Sequence, residues 1–232
     1  MTAPVHALDA PAGSDPIPDL LEEALGLYYI SPSFYIQKFC TGVIGVDPWA
    51  MASEKCSGDW GAIARAGESV HNLAAFDRIY AAGIGAAAAT SEPWTGTAAD
   101  ATRDYLARLQ NAVDSRANQL DRIGTQLEQM AVAMYELGRA VGDTLAAITD
   151  SAIIAIIHIA AAKAALLTGV GVVASTAASG LAAVEIARIL DAWSTITSVW
   201  TKTWTLVQAL MSGLVGSLAT MERIELPPLP TT

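Results

Sequence analysis

Residues 97–149 read TAADATRDYLARLQNAVDSRANQLDRIGTQLEQMAVAMYELGRAVGDTLAAIT, and this stretch decides the fold. Leu106, Leu109, Val113, Leu120, Ile123, Leu127, Met130, Met134, Leu137, Val141 and Ile148 fall on alternating steps of three and four residues, interrupted only at Arg116 and Thr144. An apolar residue every 3.5 positions keeps one stripe of an α-helix turned toward a partner helix. The pattern, held over about six heptads, therefore predicts a left-handed coiled-coil contact. A helix over these residues is expected to be roughly 80 Å long at about 1.5 Å per residue. Such a rod must pack against another long helix.

The nearest candidate lies just upstream. Asp47-Pro48 is a helix start, with Asp47 at the cap and Pro48 at the first position. The helix is expected to run to about Ala89, with a bend near Ser57-Gly58. Cys56, Ile63, Val70 and Leu73 recur at helical spacing, and beyond Phe76 the stripe moves toward Tyr80 and Ile84. Thr90-Ser91-Glu92-Pro93-Trp94-Thr95-Gly96 then forms a turn signature between the two helical runs. Further upstream, Ser33–Thr41 (Phe34, Tyr35, Ile36, Phe39) and Leu20–Leu27 (capped by Asp19, with Glu22 and Glu23 in its first turn) read as short helices. Residues 1–18, with four prolines, read as an irregular arm without the basic and apolar regions of a signal peptide.

Downstream the character changes at Asp150. From Ser151 to Val184 the one full charge is Lys163, and Ala164–Val184 has none. That stretch equals the roughly 20 residues needed to span a bilayer, but Ala, Gly, Ser and Thr dominate it, and leucine-poor segments insert weakly. Thr168-Gly169-Val170-Gly171 is expected to break it into a helical hairpin. A last helix, from about Ala178 to Met221, carries Ile186, Ile189, Trp193, Ile196, Trp200, Val207, Leu210, Leu214 and Leu218, and Thr203–Met221 is uncharged. The chain is thus expected to be all-α, an elongated antiparallel helical hairpin extended by an apolar helical bundle. Its expected parts are an irregular arm (1–18), a hairpin region (19–149), an apolar hairpin or bundle (150–221) and a Pro-rich extended tail (222–232).

Charge narrows the function. The net charge is −10, and the 13 basic residues are scattered. Nucleic acid is excluded as a partner because phosphate binding needs clustered Lys and Arg, and an anionic lipid surface is disfavoured for the same reason. Hydrophobic residues make up 53% and charged residues 16%, the latter well below the ~25% of ordinary soluble domains. Cys40 and Cys56 fit either a disulfide between neighbouring helices or two buried thiols.

Catalytic chemistry is missing. Of the three histidines, His6, His71 and His158, the first lies in the arm, and the last reads as a core histidine on an apolar helix. There is no HExxH, cysteine-pair metal site or P-loop lysine. Gly169-Val170-Gly171 lacks the strand-to-helix context of a dinucleotide site. Asp143 and Asp150 share a helix face but lie about 10 Å apart along the axis, as on a solvated edge. No catalysis, cofactor or metal is expected.

Trp94-Thr95-Gly96, at a turn between two long helices and followed by small residues (Thr97-Ala98-Ala99), resembles the W-x-G hairpin of the WXG100 superfamily, the helical proteins of type VII (ESX-like) secretion. Ser31-Pro32-Ser33-Phe34-Tyr35 and Gly58-Asp59-Trp60 resemble segments of its longer actinobacterial members, and Asp150–Ala155 and Ala183–Leu190 resemble their apolar second half. The resemblance implies a secretion substrate or adaptor that pairs, through its coiled-coil face, with a small WXG100-type partner or with itself, and engages the secretion machinery. It also implies a signal-less route from the cytoplasm to the medium or envelope. One feature departs from the pattern: no tyrosine heads a Y-x-x-x-[DE] export signal, the residues four positions on being Pro32, Ser33, Phe39, Ile84, Leu109 and Arg139. Two other readings fit the sequence, a membrane-inserting or pore-forming secreted effector using residues 150–221 and a structural helical protein of the envelope.

Overall fold

The computed structural model describes residues 33–91, 93–167 and 172–229. The expected arm, the helix at Leu20–Leu27, the Gly169/Gly171 break and the end of the tail lie outside these residues. Among the described residues every regular element is an α-helix: α1 (Ser33–Ile44), α2 (Pro48–Cys56), α3 (Trp60–Thr90), α4 (Thr97–Leu167) and α5 (Val172–Glu222). The protein is all-α.

Local chemistry sets the helix ends. Gly45, at φ +88°, ends α1, and its amide donates to the Thr41 carbonyl. Asp47 caps α2, its Oδ1 accepting from the amides of Trp49 (3.0 Å) and Ala50 (3.2 Å), while Gln37 Nε2 donates to Oδ2. The single bent helix expected from Asp47 to Ala89 is two helices. Ser57 is extended (φ −66°, ψ 134°), and Asp59 Oδ1 accepts from the Ala62 amide at 2.7 Å to start α3 afresh. Gly58 has a poor helix propensity, and an Asp one residue on supplies a new cap, so the chain breaks where a bend was expected.

The other correction concerns residue 150. The helix expected over 97–149 continues to Leu167, and the last helix begins at Val172 rather than near Ala178. The drop in polarity after Asp150 introduces no Gly or Pro, and Ala and Leu are strong helix formers. A change of solvent preference does not end a helix.

The described residues form two compact units. One takes Asp59–Val132 and the described part of Leu206–Thr232; the other takes the described part of Ile17–Gly58 and Ala133–Thr205. In the first, α3 and the start of α4 run antiparallel, with Ala81, Ile84 and Val113 buried together and Leu106 and Leu109 packed against them. The two backbones approach closely at Gly67 and Gly124. A Cβ on Gly124 would lie 2.8 Å from the His71 ring and 2.9 Å from the Gly67 carbonyl oxygen, and one on Gly67 would lie 2.9 Å from the Gly124 carbonyl oxygen. In the second unit the core includes Cys40, Ala52, Leu137, Ile148, Ala155 and Ile189.

The two interruptions in the heptad series are where the buried stripe of α4 shifts. It passes through Ala117 (0% exposed) in place of Arg116 and Leu145 (5%) in place of Thr144. Each shift is local: Val113 to Leu120 and Val141 to Ile148 remain seven residues apart, so the heptad register resumes one turn later.

Gly124→Ala should destabilise the protein. Overpacking a close crossing costs about 1–3 kcal/mol, which outweighs the ~1 kcal/mol that Ala gains over Gly in a helix interior. Gly138→Ala, with nothing within 4 Å of the added Cβ, should instead gain up to ~1 kcal/mol. Urea midpoints of the two variants will differ in sign from the parent; a rise in both contradicts the close approach.

Candidate interaction site

The turn between α3 and α4 is held by few groups. Gly96 sits at φ +107°, where an L side chain is strained, and its carbonyl accepts the Asp100 amide to open α4. The Trp94 amide donates to the Ser91 carbonyl at 3.0 Å. Arg103, in the second turn of α4, reaches back: Nη1 donates to the carbonyls of Trp94 (2.9 Å) and Ser91 (3.3 Å), and Nη2 pairs with Asp100. One guanidinium thus ties the end of α3, the turn and the start of α4. Trp94 itself is 50% exposed. An indole half in water on an anchored backbone is an amphipathic surface with little conformational entropy left to lose. Arg103 was not legible as an anchor, because a lone arginine near the start of a helix reads as a solvated charge.

The seam residues lie elsewhere. Val113, Leu120, Ile123, Met130, Met134, Leu137 and Val141 are buried within this chain, and Leu106, Leu109 and Leu127 are half-buried. The stripe already has its cover within the chain. Within the first unit an open apolar groove is lined by Val113, Arg116, Val215, Leu218, Met221 and Leu226.

Polar residues crossing from α3 to α4 lock the first unit. Asp77 is fully buried and accepts both Nε (2.7 Å) and Nη2 (2.6 Å) of Arg116, a bidentate pair. The hydrogen bond to Asp77 raises the Arg116 pKa further, holding the guanidinium protonated. Arg116 thus leaves the apolar seam because its partner is the buried carboxylate opposite. Nearby, Asp121 accepts from Arg78 at 2.6 Å and pairs with His71 Nδ1 at 2.7 Å, while Glu128 lies 3.6 Å from His71 Nε2. These contacts hold the Asp121 carboxyl below its usual range, Arg78 contributing most and His71 next.

Cys40 and Cys56 are both buried and are not joined by a disulfide in this fold. Burial pushes Cys40 up to about 11 and raises Cys56, so neither is activated as a thiolate. His158 is partly exposed rather than a core residue, and Asp143 and Asp150 are exposed. Among the described residues no three His, Cys, Asp or Glu side chains are grouped to hold a metal ion. No known protein family, curated protein or solved structure matches this chain.

Arg116→Met should cost about 3–5 kcal/mol, because it leaves the Asp77 carboxylate buried without its counterion. Adding Asp77→Leu should recover most of that loss in denaturant titration, whereas an undiminished loss would contradict the pair's role. Asp121 gives a pH signature. A carboxyl whose folded pKa is lowered stabilises the fold above its unfolded value near 4 and ceases to as pH falls through the folded value. The network is partly exposed, so the effect is below about 1 kcal/mol. Asp121→Asn should therefore melt below the parent at pH 6, and the gap should narrow as pH falls below about 4.

Proposed function

We propose that this chain is a substrate or adaptor of a WXG100-type, type VII secretion system, acting by helix–helix pairing with a small helical partner and without catalysis. The observation that carries this reading is the turn at Trp94-Thr95-Gly96. Two long helices are joined there by a backbone that Gly96 and Arg103 fix, and the indole of Trp94 is left half in solvent. A fixed, half-exposed tryptophan is the residue type that dominates binding energies at helical interfaces. The buried seam directs the partner away from the coiled-coil stripe. Trp94 and the groove beside Val215 and Leu218 are surfaces of the first unit open to it. A partner also accounts for the missing Y-x-x-x-[DE] signal, since one signal on one member of a pair serves both.

Export is the test. A tagged chain should reach the culture medium from cells with an intact type VII system and stay inside cells whose system ATPase is disabled. Trp94→Ala should change stability by less than about 0.5 kcal/mol, as a half-exposed truncation does, yet reduce export several-fold. Equal medium levels from the two strains would sink the proposal.

A further inference from the structure

The second unit carries an inversion of ordinary core chemistry. Where α4 ends and α5 begins, the buried positions are small: Ala152, Ala155, Ala162, Ser175 and Ala182 are 0–7% exposed. The exposed positions beside them are large: Ile153, Ile154, Ile157, Leu166, Leu181 and Val184 are 40–62% exposed. A helix pair folding in water places large apolar side chains inside, because each buried one contributes about 1.5–3 kcal/mol. A pair packed in lipid does the reverse. Small residues let the backbones close up, and branched ones face the acyl chains.

We propose that residues 151–167 and 172–184 insert together into the hydrocarbon of a lipid bilayer. Charge marks the depth. Between Ser151 and Val184 only Lys163 is charged, and full charges resume at Asp150 on α4 and at Glu185 and Arg188 on α5. The segments between those levels are about 25 Å and 20 Å long at ~1.5 Å per residue, most of a ~30 Å hydrocarbon layer. Lys163 lies four residues before the end of α4, about 6 Å along the axis. There its flexible stem brings the ammonium to the far headgroups. Taken as whole helices, α4 and α5 are long and apolar enough to cross a membrane by length and composition.

The choice of lipid over a protein partner rests on the spread of exposure around α5. From Ala174 to Val184 every residue except Ser175, Ala178 and Ala182 is exposed, an uncharged arc of about 220° at ~3.6 residues per turn, and Ile153, Ile154 and Ile157 add about 100° on α4. A partner helix covers a stripe, whereas acyl chains cover every open side. The net charge of −10 assigns the attraction to hydrocarbon and not to anionic headgroups. This inference is independent of the secretion reading, and a vesicle assay separates the two because it contains no secretion machinery.

The full-length Ile157→Cys variant would be labelled with an environment-sensitive fluorophore, Cys40 and Cys56 being buried, and mixed with phosphatidylcholine vesicles. Val132→Cys, exposed on α4 in the first unit, is the control. Emission at position 157 should shift to the blue and be quenched by nitroxides placed on the acyl chains, while position 132 reports water. Ile157→Asp, an exposed substitution that leaves the core intact, should weaken vesicle flotation on the order of 100-fold. Three outcomes overturn the proposal: equal quenching at both positions, undiminished flotation of Ile157→Asp, or a full blue shift without vesicles, which assigns the face to a second copy of the chain.

Discussion

A helix as long as α4 depends on burying one stripe along its whole course, because helix propensity alone stabilises such a structure only marginally in water. Most other features follow from that constraint. The stripe runs from Val113 through Leu120, Met134 and Leu137 to Ile148, and onward through Ala152 and Ala155. Where it meets a residue unsuited to burial, at Arg116 and at Thr144, it moves one position along rather than admitting the polar group. Two discontinuities in the heptad pattern are thereby absorbed without a break in the helix.

In the first unit the close approach at Gly67 and Gly124 brings the backbones of α3 and α4 near enough for polar groups to bridge them. Asp77, Arg116, Asp121, Arg78 and His71 do so. The buried Asp77–Arg116 pair is weak evidence for added stability, since desolvation of the carboxylate offsets much of the attraction. Its physical consequence is registry. A fully buried carboxylate with one bidentate partner tolerates little sliding of one helix along the other, and this fixes the turn that carries Trp94.

In the second unit the interior narrows to alanine and the large residues turn outward. The composition of the same helix matches two solvent regimes along its length. Its first part has large apolar residues inside and charges outside, as suits water. Its last part has small residues inside and branched apolar residues outside, as suits hydrocarbon. The transition falls between Asp150 and Ile153 without interrupting the backbone hydrogen bonds, since composition there changes polarity and not helix propensity.

The heptad series, the Asp47-Pro48 start and the turn glycine at position 96 were legible in the sequence because each is a local rule: a period, a cap, a backbone conformation. The all-α class follows from them. The break at Ser57–Asp59 was read as a bend because propensity does not say whether a cap will win over helix continuation. The seam was legible as apolar, but not as already covered by the chain itself. Nor did Asp77 stand out, because a single aspartate in a helix is indistinguishable from a surface charge until its partner 39 residues away is in place. Arg103 and the Gly67–Gly124 crossing were hidden for the same reason. By itself the sequence determined which segments are helical and which stripe of each seeks burial, since these depend on neighbours within a few turns. Only the tertiary structure decided which surfaces remain open, because exposure depends on what distant residues have come to cover.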